Sequence, residues 1–252
     1  MPTIPTDDFP NPLVKQIFFE IKFPNLFSVE SKIGEFQLQI VEKFPDSSLL
    51  FQRQVVFANL GPEVKIDDFE QNIDKGLSKK IWQFKSSEAE INITTNGIII
   101  SSPQIKKYSN TNGYRELLNY ILNKFFAVMS ISVINRIGLR YVNEFDIEGM
   151  SNATFNSFIK SSLQTSRFSI SNSKEMTSRI VENTAQHGLI FMEAIRVKDN
   201  RKTWILDLDS FATNKSSDEH LSVADTLHSV IKSEFFKTIK PAIYPKMRNR
   251  AA

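Results

Sequence analysis

The amino-acid sequence predicts an α+β fold in which two tandem β-α-β4-α units form one curved antiparallel sheet, with helices packed on one of its faces. Patterns typical of strands and helices run through the 252 residues twice in the same order. The chain also contains 21 phenylalanines, and bulky aromatic side chains are favoured on the pleated surface of a sheet. Two long helical segments carry apolar residues at matching positions, which favours duplication of one ancestral unit.

The pattern divides the chain into two units with a short segment at each end. The order strand, helix, four strands, helix covers residues 13–130 and is repeated in residues 131–241. Residues 1–12 are predicted to be a flexible, Pro-rich leader without the basic and apolar regions of a signal peptide, and residues 242–252 a basic tail. The TATA-binding-protein fold has the same order of elements. No sequence resemblance to that protein is found, so the comparison predicts shape alone.

The first unit opens with a strand at residues 14–23, where apolar and polar residues alternate. A helix follows, with Ser31 as its predicted cap, and ends before Pro45. The dipeptide Asn96-Gly97 predicts a tight hairpin between two of the later strands. The other predicted elements are strands at 49–57, 80–85, 90–95 and 98–101, a long loop at 59–78 and a helix at 114–128.

The second unit repeats this order. Its helices are predicted at 152–163, with a Ser/Asn cap, and at 218–239, before Pro241. Its strands are predicted at 132–145, 167–170, 177–183, 188–197 and 204–208. The matching helix positions are Leu117, Tyr120, Ile121, Phe125 and Phe126 in the first unit and Leu227, Val230, Ile231, Phe235 and Phe236 in the second.

Composition limits the chemistry that is available. The chain has no cysteine, which excludes disulfides, thiolate metal sites and cysteine nucleophiles and suits a reducing compartment. No stretch approaches the roughly 20 apolar residues that span a bilayer, so we predict a cytoplasmic location. Net charge is +3, but residues 232–250 hold six cations and one acidic residue. The predicted tail cations, which could bind phosphates or only keep a terminus soluble, are Lys240, Lys246, Arg248 and Arg250.

One strand offers a candidate binding surface. Arg136, Gly138 and Arg140 share a face, and the apolar residues between them predict that this face points away from the helices. On the matching strand of the first unit, Gln16 and Lys22 face the same way. Two interpretations stay open. The arginines could line a shallow groove for an anionic or extended ligand, or the face could carry cross-strand pairs in which Arg140 opposes an acidic residue such as Glu20.

Two further pairs of residues are candidates for catalysis or metal binding. Asp207 and Asp209 share a strand face and could act as an acid–base pair or bind a divalent ion, with Arg196 as the alternative salt-bridge partner. Asp225 and His228 are neighbours on the last helix. No Walker, dinucleotide-binding or nucleophile-elbow motif is present. We therefore predict no cofactor and no metal site, and an enzyme is less favoured than a binding protein.

Three short motifs and the terminal helix resemble a sporadically distributed, uncharacterised prokaryotic family of about this length. The motifs are FEIKFP from Phe19, WQF from Trp82 and RIGLRYVN from Arg136, and the helix shares His228, Phe235 and Ile239. The resemblance implies no established activity, so no catalytic residue is carried over. Patchy distribution implies mobile or defence-associated genes, where a partner protein is often encoded nearby.

These observations favour a non-enzymatic binding protein that engages a macromolecular partner, in the first place a protein, through an open sheet face. The alternative is nucleic-acid binding through the same face together with the basic tail, although a balanced charge is poor equipment for attracting nucleic acid. A further alternative is an enzyme or small-molecule receptor with a pocket between sheet and helices. No membrane association is predicted, and homo-oligomers are compatible with the sequence.

Overall fold

The computed structural model describes residues 9, 12–53, 78–198 and 200–248. In this part of the chain, one antiparallel sheet of nine strands carries the helices on one face. This confirms the predicted α+β class and the one-sided helical layer. No helix among the described residues is long and apolar enough to span a membrane.

The described strands and helices are labelled in chain order. The strands are β1 (Val14–Lys22), β2 (Asp46–Arg53), β3 (Ser78–Lys85), β4 (Glu90–Thr94), β5 (Gly97–Ser102), β6 (Val133–Asp146), β7 (Glu175–Asn183), β8 (Gly188–Lys198) and β9 (Arg201–Ser216). The helices are α1 (Ser28–Ile40), α2 (Tyr114–Val128), α3 (Asn152–Phe158), α4 (His220–Thr238) and α5 (Tyr244–Arg248).

The strand order is β2-β3-β4-β5-β1-β6-β9-β8-β7. The first strand of each half, β1 or β6, therefore lies at the centre of the sheet. In both halves the strand next to it is the last one of that half, and the others follow outward in reverse chain order. Among the described residues, the first half contributes five strands and the second half four. Tandem duplication of one unit remains a prediction.

Alternation along the strands separates two sheet faces. Ile17, Phe19 and Ile21 on β1 are fully buried beneath the helices, whereas Phe18 and Glu20 lie on the opposite face and are only half-buried. We call this opposite side the open face. The core forms between the helices and the inner face, with Phe36 and Phe125 packed edge to face at 5.6 Å. Burial of these rings and of the aliphatic side chains around them stabilises the fold.

The prediction of a strand at 167–170 is wrong, because these residues form turns and irregular structure. The side chain of Asn152 satisfies the backbone of this segment instead of a strand ladder. Its Nδ2 donates to the carbonyl oxygens of Thr165 (2.5 Å) and Phe168 (2.9 Å), and its Oδ1 accepts from the Ile170 amide (2.8 Å). The helix predicted at 152–163 also ends early, at Phe158. Its predicted Ser/Asn cap is confirmed, since Ser151 accepts from the Thr154 amide.

Three predictions in the first half need smaller corrections. Ser31 does not cap α1, because the helix begins at Ser28 and the Ser31 hydroxyl donates back to the Ser28 carbonyl. The β4–β5 hairpin is confirmed, but Thr94 pairs with Gly97, so the turn residues are Thr95 and Asn96. The predicted loop at 59–78 lies outside the described residues except for its last residue, which begins β3, and so does the end of the strand predicted at 49–57.

The predicted basic tail is folded as far as residue 248. Ile243 and Met247 are buried, and α5 packs through Tyr244 on Phe236 at 6.5 Å between ring centroids. Phe9, from the predicted leader, lies 5.6 Å from Tyr244 on the same surface. Apolar residues at every few positions anchor residues 242–248, so Lys246 and Arg248 have fixed places on the molecule.

Candidate functional site

Arg136 is the centre of an ion network on the open face. Its Nη1 donates to Glu20 on β1 at 2.5 Å, and its Nη2 donates to both carboxylate oxygens of Asp209 on β9 at 2.8 Å. The guanidinium also lies over the Phe211 ring at 4.9 Å. The side chain is only 19% exposed. Arg136 therefore joins three strands across the middle of the sheet.

Because it has no side chain, Gly138 leaves the space that the Arg136 side chain occupies. It is paired with Glu20 on one side and Phe211 on the other. A Cβ atom at Gly138 would lie 2.2 Å from Arg136 Nη1, well inside van der Waals contact. The glycine thus lets the guanidinium fold back along its own strand. Arg136 therefore occupies the space that the missing side chain of Gly138 leaves on the open face.

Arg140 makes a second, separate pair. Its Nε and Nη2 donate to the two carboxylate oxygens of Asp207 at 2.7 and 2.5 Å, a bidentate arrangement. Its guanidinium also lies over the Phe18 ring at 5.5 Å. The Arg140 side chain is 46% exposed, whereas Asp207 is 7% exposed. Arg140 is thus the more exposed of the two paired arginines.

The network balances its charge. Arg136, Arg140 and Lys22 face Glu20, Asp207 and Asp209, and Lys22 lies 3.4 Å from Glu20. Burial raises the pKa of Asp209, and the neighbouring Arg136 only partly offsets this effect. The structure therefore places Arg136, Gly138, Arg140 and Lys22 together on the open face. Of the two interpretations, the observed contacts are those of cross-strand ion pairs.

Gln16 and the tail cations lie elsewhere. Gln16 is on the open face opposite Val142, beyond the ion network. Lys240 donates to the Asn156 carbonyl of α3 at 2.5 Å, and the Lys246 ammonium lies 5.7 Å from the Phe158 ring. Arg248 ends α5, and Arg250 is outside the described residues. Because α3 packs on the helical side of the sheet, the structure does not combine these cations with the arginines of the open face.

Asp207 and Asp209 share a face as predicted, but each is bonded to an arginine. Arg196 is not their partner, since it lies 3.6 Å from Glu175 on β7. Strand register explains the error. Arg196 is opposite Thr203, which lies two residues before Ile205 and four residues before Asp207 along β9. In the described part of the chain, no cluster of three or more His, Cys, Asp or Glu side chains is placed to hold a metal ion.

A polar cluster that the sequence only hinted at joins the two halves between α2 and α4. Arg115 donates through Nε (2.6 Å) and Nη2 (2.9 Å) to Asp225, which also accepts from the Tyr108 hydroxyl at 2.8 Å. The His228 ring stacks on Tyr108 at 4.2 Å, and its Nδ1 lies 3.1 Å from the Tyr141 hydroxyl. We call this group the inter-half clasp.

Electrostatics in the inter-half clasp favour neutral His228 and ionised Asp225. Burial and the nearby Lys232 lower the pKa of His228 to about 4. Burial alone would raise the pKa of Asp225, but hydrogen bonds from Arg115 and Tyr108 outweigh it and lower the pKa. Burial raises the pKa of Tyr108 far above its usual range. The cluster is thus a satisfied structural contact with every named polar group partnered.

Sequence reasoning missed Glu193, a fully buried carboxylate on the helical side of β8. It accepts from the Ser161 hydroxyl (2.5 Å), the Ser162 amide (2.6 Å) and hydroxyl (2.7 Å), and the Trp204 indole (2.8 Å). These donors hold the segment after α3 against the sheet. An acidic residue in phase with Leu189, Phe191 and Ile195 was the available signal, because that phase faces the core.

Two adjoining cavities lie on the helical side, between the β7–β8 hairpin and α4. Their volumes are about 300 and 420 Å³, and they share Glu182, Leu189, Glu234 and Lys237. Asp207, Asp209 and His228 line neither of them.

Comparisons with known proteins add no identity. No family model matches the chain, and no curated protein matches it. The resemblance to a sporadically distributed prokaryotic family accordingly stays a prediction.

Proposed function

We propose that this chain is a non-enzymatic binding protein whose open sheet face engages a protein partner. The observation that carries the proposal is the combination of paired arginines with partly exposed apolar side chains on a face without helices. Ile99 is 38% exposed there, and Phe18, Phe211 and Met192 are half-buried around the ion network. Aromatic residues, Met and Arg are the residue types enriched in protein interfaces.

The charge pattern supports a protein over a nucleic acid. Arg136 and Arg140 each hold a carboxylate through two hydrogen bonds, so a phosphate would have to displace an internal partner. Nucleic-acid binding depends on cations that are available to neutralise phosphates. A preformed, balanced network instead offers fixed donors and acceptors to a complementary protein surface.

A matched pair of substitutions tests the proposal. Ile99→Asp changes the open face, while Leu38→Asp makes the same change on the outer side of α1, where Leu38 is 78% exposed. Each variant and the native protein are immobilised and exposed to host lysate, and the bound proteins are quantified by mass spectrometry. We expect specific partners to be retained by native protein and Leu38→Asp, and to be lost with Ile99→Asp.

Equal retention by both variants would reject the open face as the binding surface. The alternative, nucleic-acid binding through the same face, is tested by measuring the binding of labelled duplex DNA and RNA. Binding that falls steeply between about 50 and 200 mM salt would favour nucleic acid. Thermal melting of both variants shows whether either change acts through folding.

A further inference from the structure

The outer strand β7 is an exposed sheet edge. All nine of its residues pair with β8, and in the described part of the chain no strand pairs with its other side. Ile180 and Val181 lie next to each other on opposite faces of this edge and are 43% and 46% exposed. Apolar residues on an exposed edge favour pairing, which proline, a bulge or charge can block. β7 has neither a proline nor a bulge, and its charged residues are Glu175, Arg179 and Glu182.

We propose that β7 pairs antiparallel with β7 of a second copy of this chain, about a two-fold axis at Ser178. Such an axis is perpendicular to the sheet, so both copies keep their helices on the same side. Residues that oppose each other must therefore face the same way, which allows only registers whose residue numbers have an even sum. The result is one sheet continuing across both protomers.

Charge and apolar complementarity together select the register. About Ser178, Lys174, the residue before β7, is opposite Glu182 of the other copy, and Met176 is opposite Ile180. An axis at Thr177 would also oppose unlike charges, Glu175 and Arg179, but Glu175 is already paired with Arg196 at 3.6 Å and Lys174 would be opposite Ile180. Lys174 and Glu182 are exposed and form no ion pair within the described part of the chain. A two-fold axis at Arg179 would set two guanidinium groups against each other. An axis at Ile180 would place Lys174 beyond the end of the paired strand.

The face without helices supports the same register. Around the axis at Ser178, Thr177 of one copy is opposite Arg179 of the other, so no like charges meet directly. Two paired edges also supply hydrogen bonds to backbone groups that otherwise face water. Seven pairs of β7 residues make a small contact beside a standard interface of roughly 1,600 Å², and we expect a reversible, concentration-dependent dimer. It is independent of the proposed function, because it uses the edge and not the open face.

Crosslinking tests the axis directly, because the chain has no cysteine. Ser178→Cys places two thiols opposite each other, and mild oxidation should give a disulfide-linked dimer on a non-reducing gel. Ile180→Cys is the matched control on the same strand and face. Its thiols would be roughly 13 Å apart along the strands, beyond disulfide reach. No crosslink with Ser178→Cys, or equal crosslinking of both variants, would overturn the proposed axis.

Charge exchange tests the register. Sedimentation velocity over a concentration series should show the native protein shifting from monomer towards twice that mass. Lys174→Glu should raise the dissociation constant of the dimer about tenfold, because it places an acidic side chain opposite Glu182 at both symmetry-related positions. Lys174→Glu combined with Glu182→Lys should restore the native value. A native protein that stays monomeric throughout, or a double variant no better than the single one, contradicts the inference.

Discussion

The two halves of the molecule arrange their strands in the same outward order but cover them differently. Counted outward with the opening strand of each half (β1 or β6) as the first, β3 and β7 are each the fourth strand. In the first half, α1 has 13 residues and places Phe36 against Phe84 of β3 at 5.7 Å. In the second half, α3 has only seven residues, and Ile180 of β7 stays 43% exposed. Helix length after the opening strand thus decides how far outward the sheet is covered.

The halves also differ in how the segment after the opening strand is attached. Phe36 in α1 is fully buried between aromatic rings, so attachment there is apolar. The segment after α3 is held by Glu193 through hydrogen bonds from Ser161 and Ser162. Apolar attachment depends on filled volume, whereas the polar one depends on every donor having an acceptor. Substitutions should therefore fail for different reasons in the two halves.

The largest effect is expected from Phe36→Ala. Removing this ring leaves a cavity between Phe84 and Phe125, and the free energy of unfolding should fall by about 3–5 kcal/mol in urea denaturation. Leu38→Ala on the same helix is the control, because Leu38 is 78% exposed and should change stability by less than about 0.5 kcal/mol. Equal effects of both changes would show that α1 is not packed as described.

Glu193→Ala is expected to cost about 3 kcal/mol, because it leaves the donors of Ser161, Ser162 and Trp204 without their acceptor. Glu182→Ala, on the exposed strand β7, provides the matched control and should be nearly neutral. Urea denaturation measures both. If Glu193→Ala proved as harmless as the control, the polar attachment of the second half would be refuted.

Acid should weaken the inter-half clasp. The pKa of His228 is lowered to about 4 from an ordinary value of 6.5, so between these values the unfolded chain binds a proton that the folded protein does not. The free energy of unfolding then has its full value above pH 6.5. It falls by up to about 3 kcal/mol as the pH drops to about 4. Unfolding measured across this range should be less pH-dependent in His228→Gln. Identical profiles would remove His228 as the cause.

Two glycines, one in each half, should respond in opposite directions. Gly138→Ala forces the Arg136 guanidinium away from Glu20 and Asp209 and should cost about 1–3 kcal/mol. Gly34→Ala in α1 meets no atom within 4 Å and should stabilise by about 0.5–1 kcal/mol, because alanine favours helix. Thermal melting compares them. A stabilising Gly138→Ala would show that Arg136 does not need the space above this glycine.

Much of the site could be predicted from the sequence because strand alternation is local. The phase of Ile137 and Leu139 was enough to place Arg136 and Arg140 on the face opposite the helices, as observed. Glu20 was predicted as an acidic partner, although of Arg140 and not of Arg136. The pairs with Asp207 and Asp209 could not be predicted, because these residues come from a strand about 70 residues later. Which acid meets which arginine depends on register, and register is a property of the paired strands together.

The sequence by itself determined the class of the fold, the helical segment 114–128 and the two faces of β1 and β6, because these follow from periodicity within a few residues. Only the tertiary structure decided that Arg136 occupies the space above Gly138, that the segment at 167–170 folds around Asn152 instead of forming a strand, and that the cations at the C-terminus lie beside α3. Each of these depends on contacts between distant segments, and their geometry is fixed only when the sheet and helices are assembled.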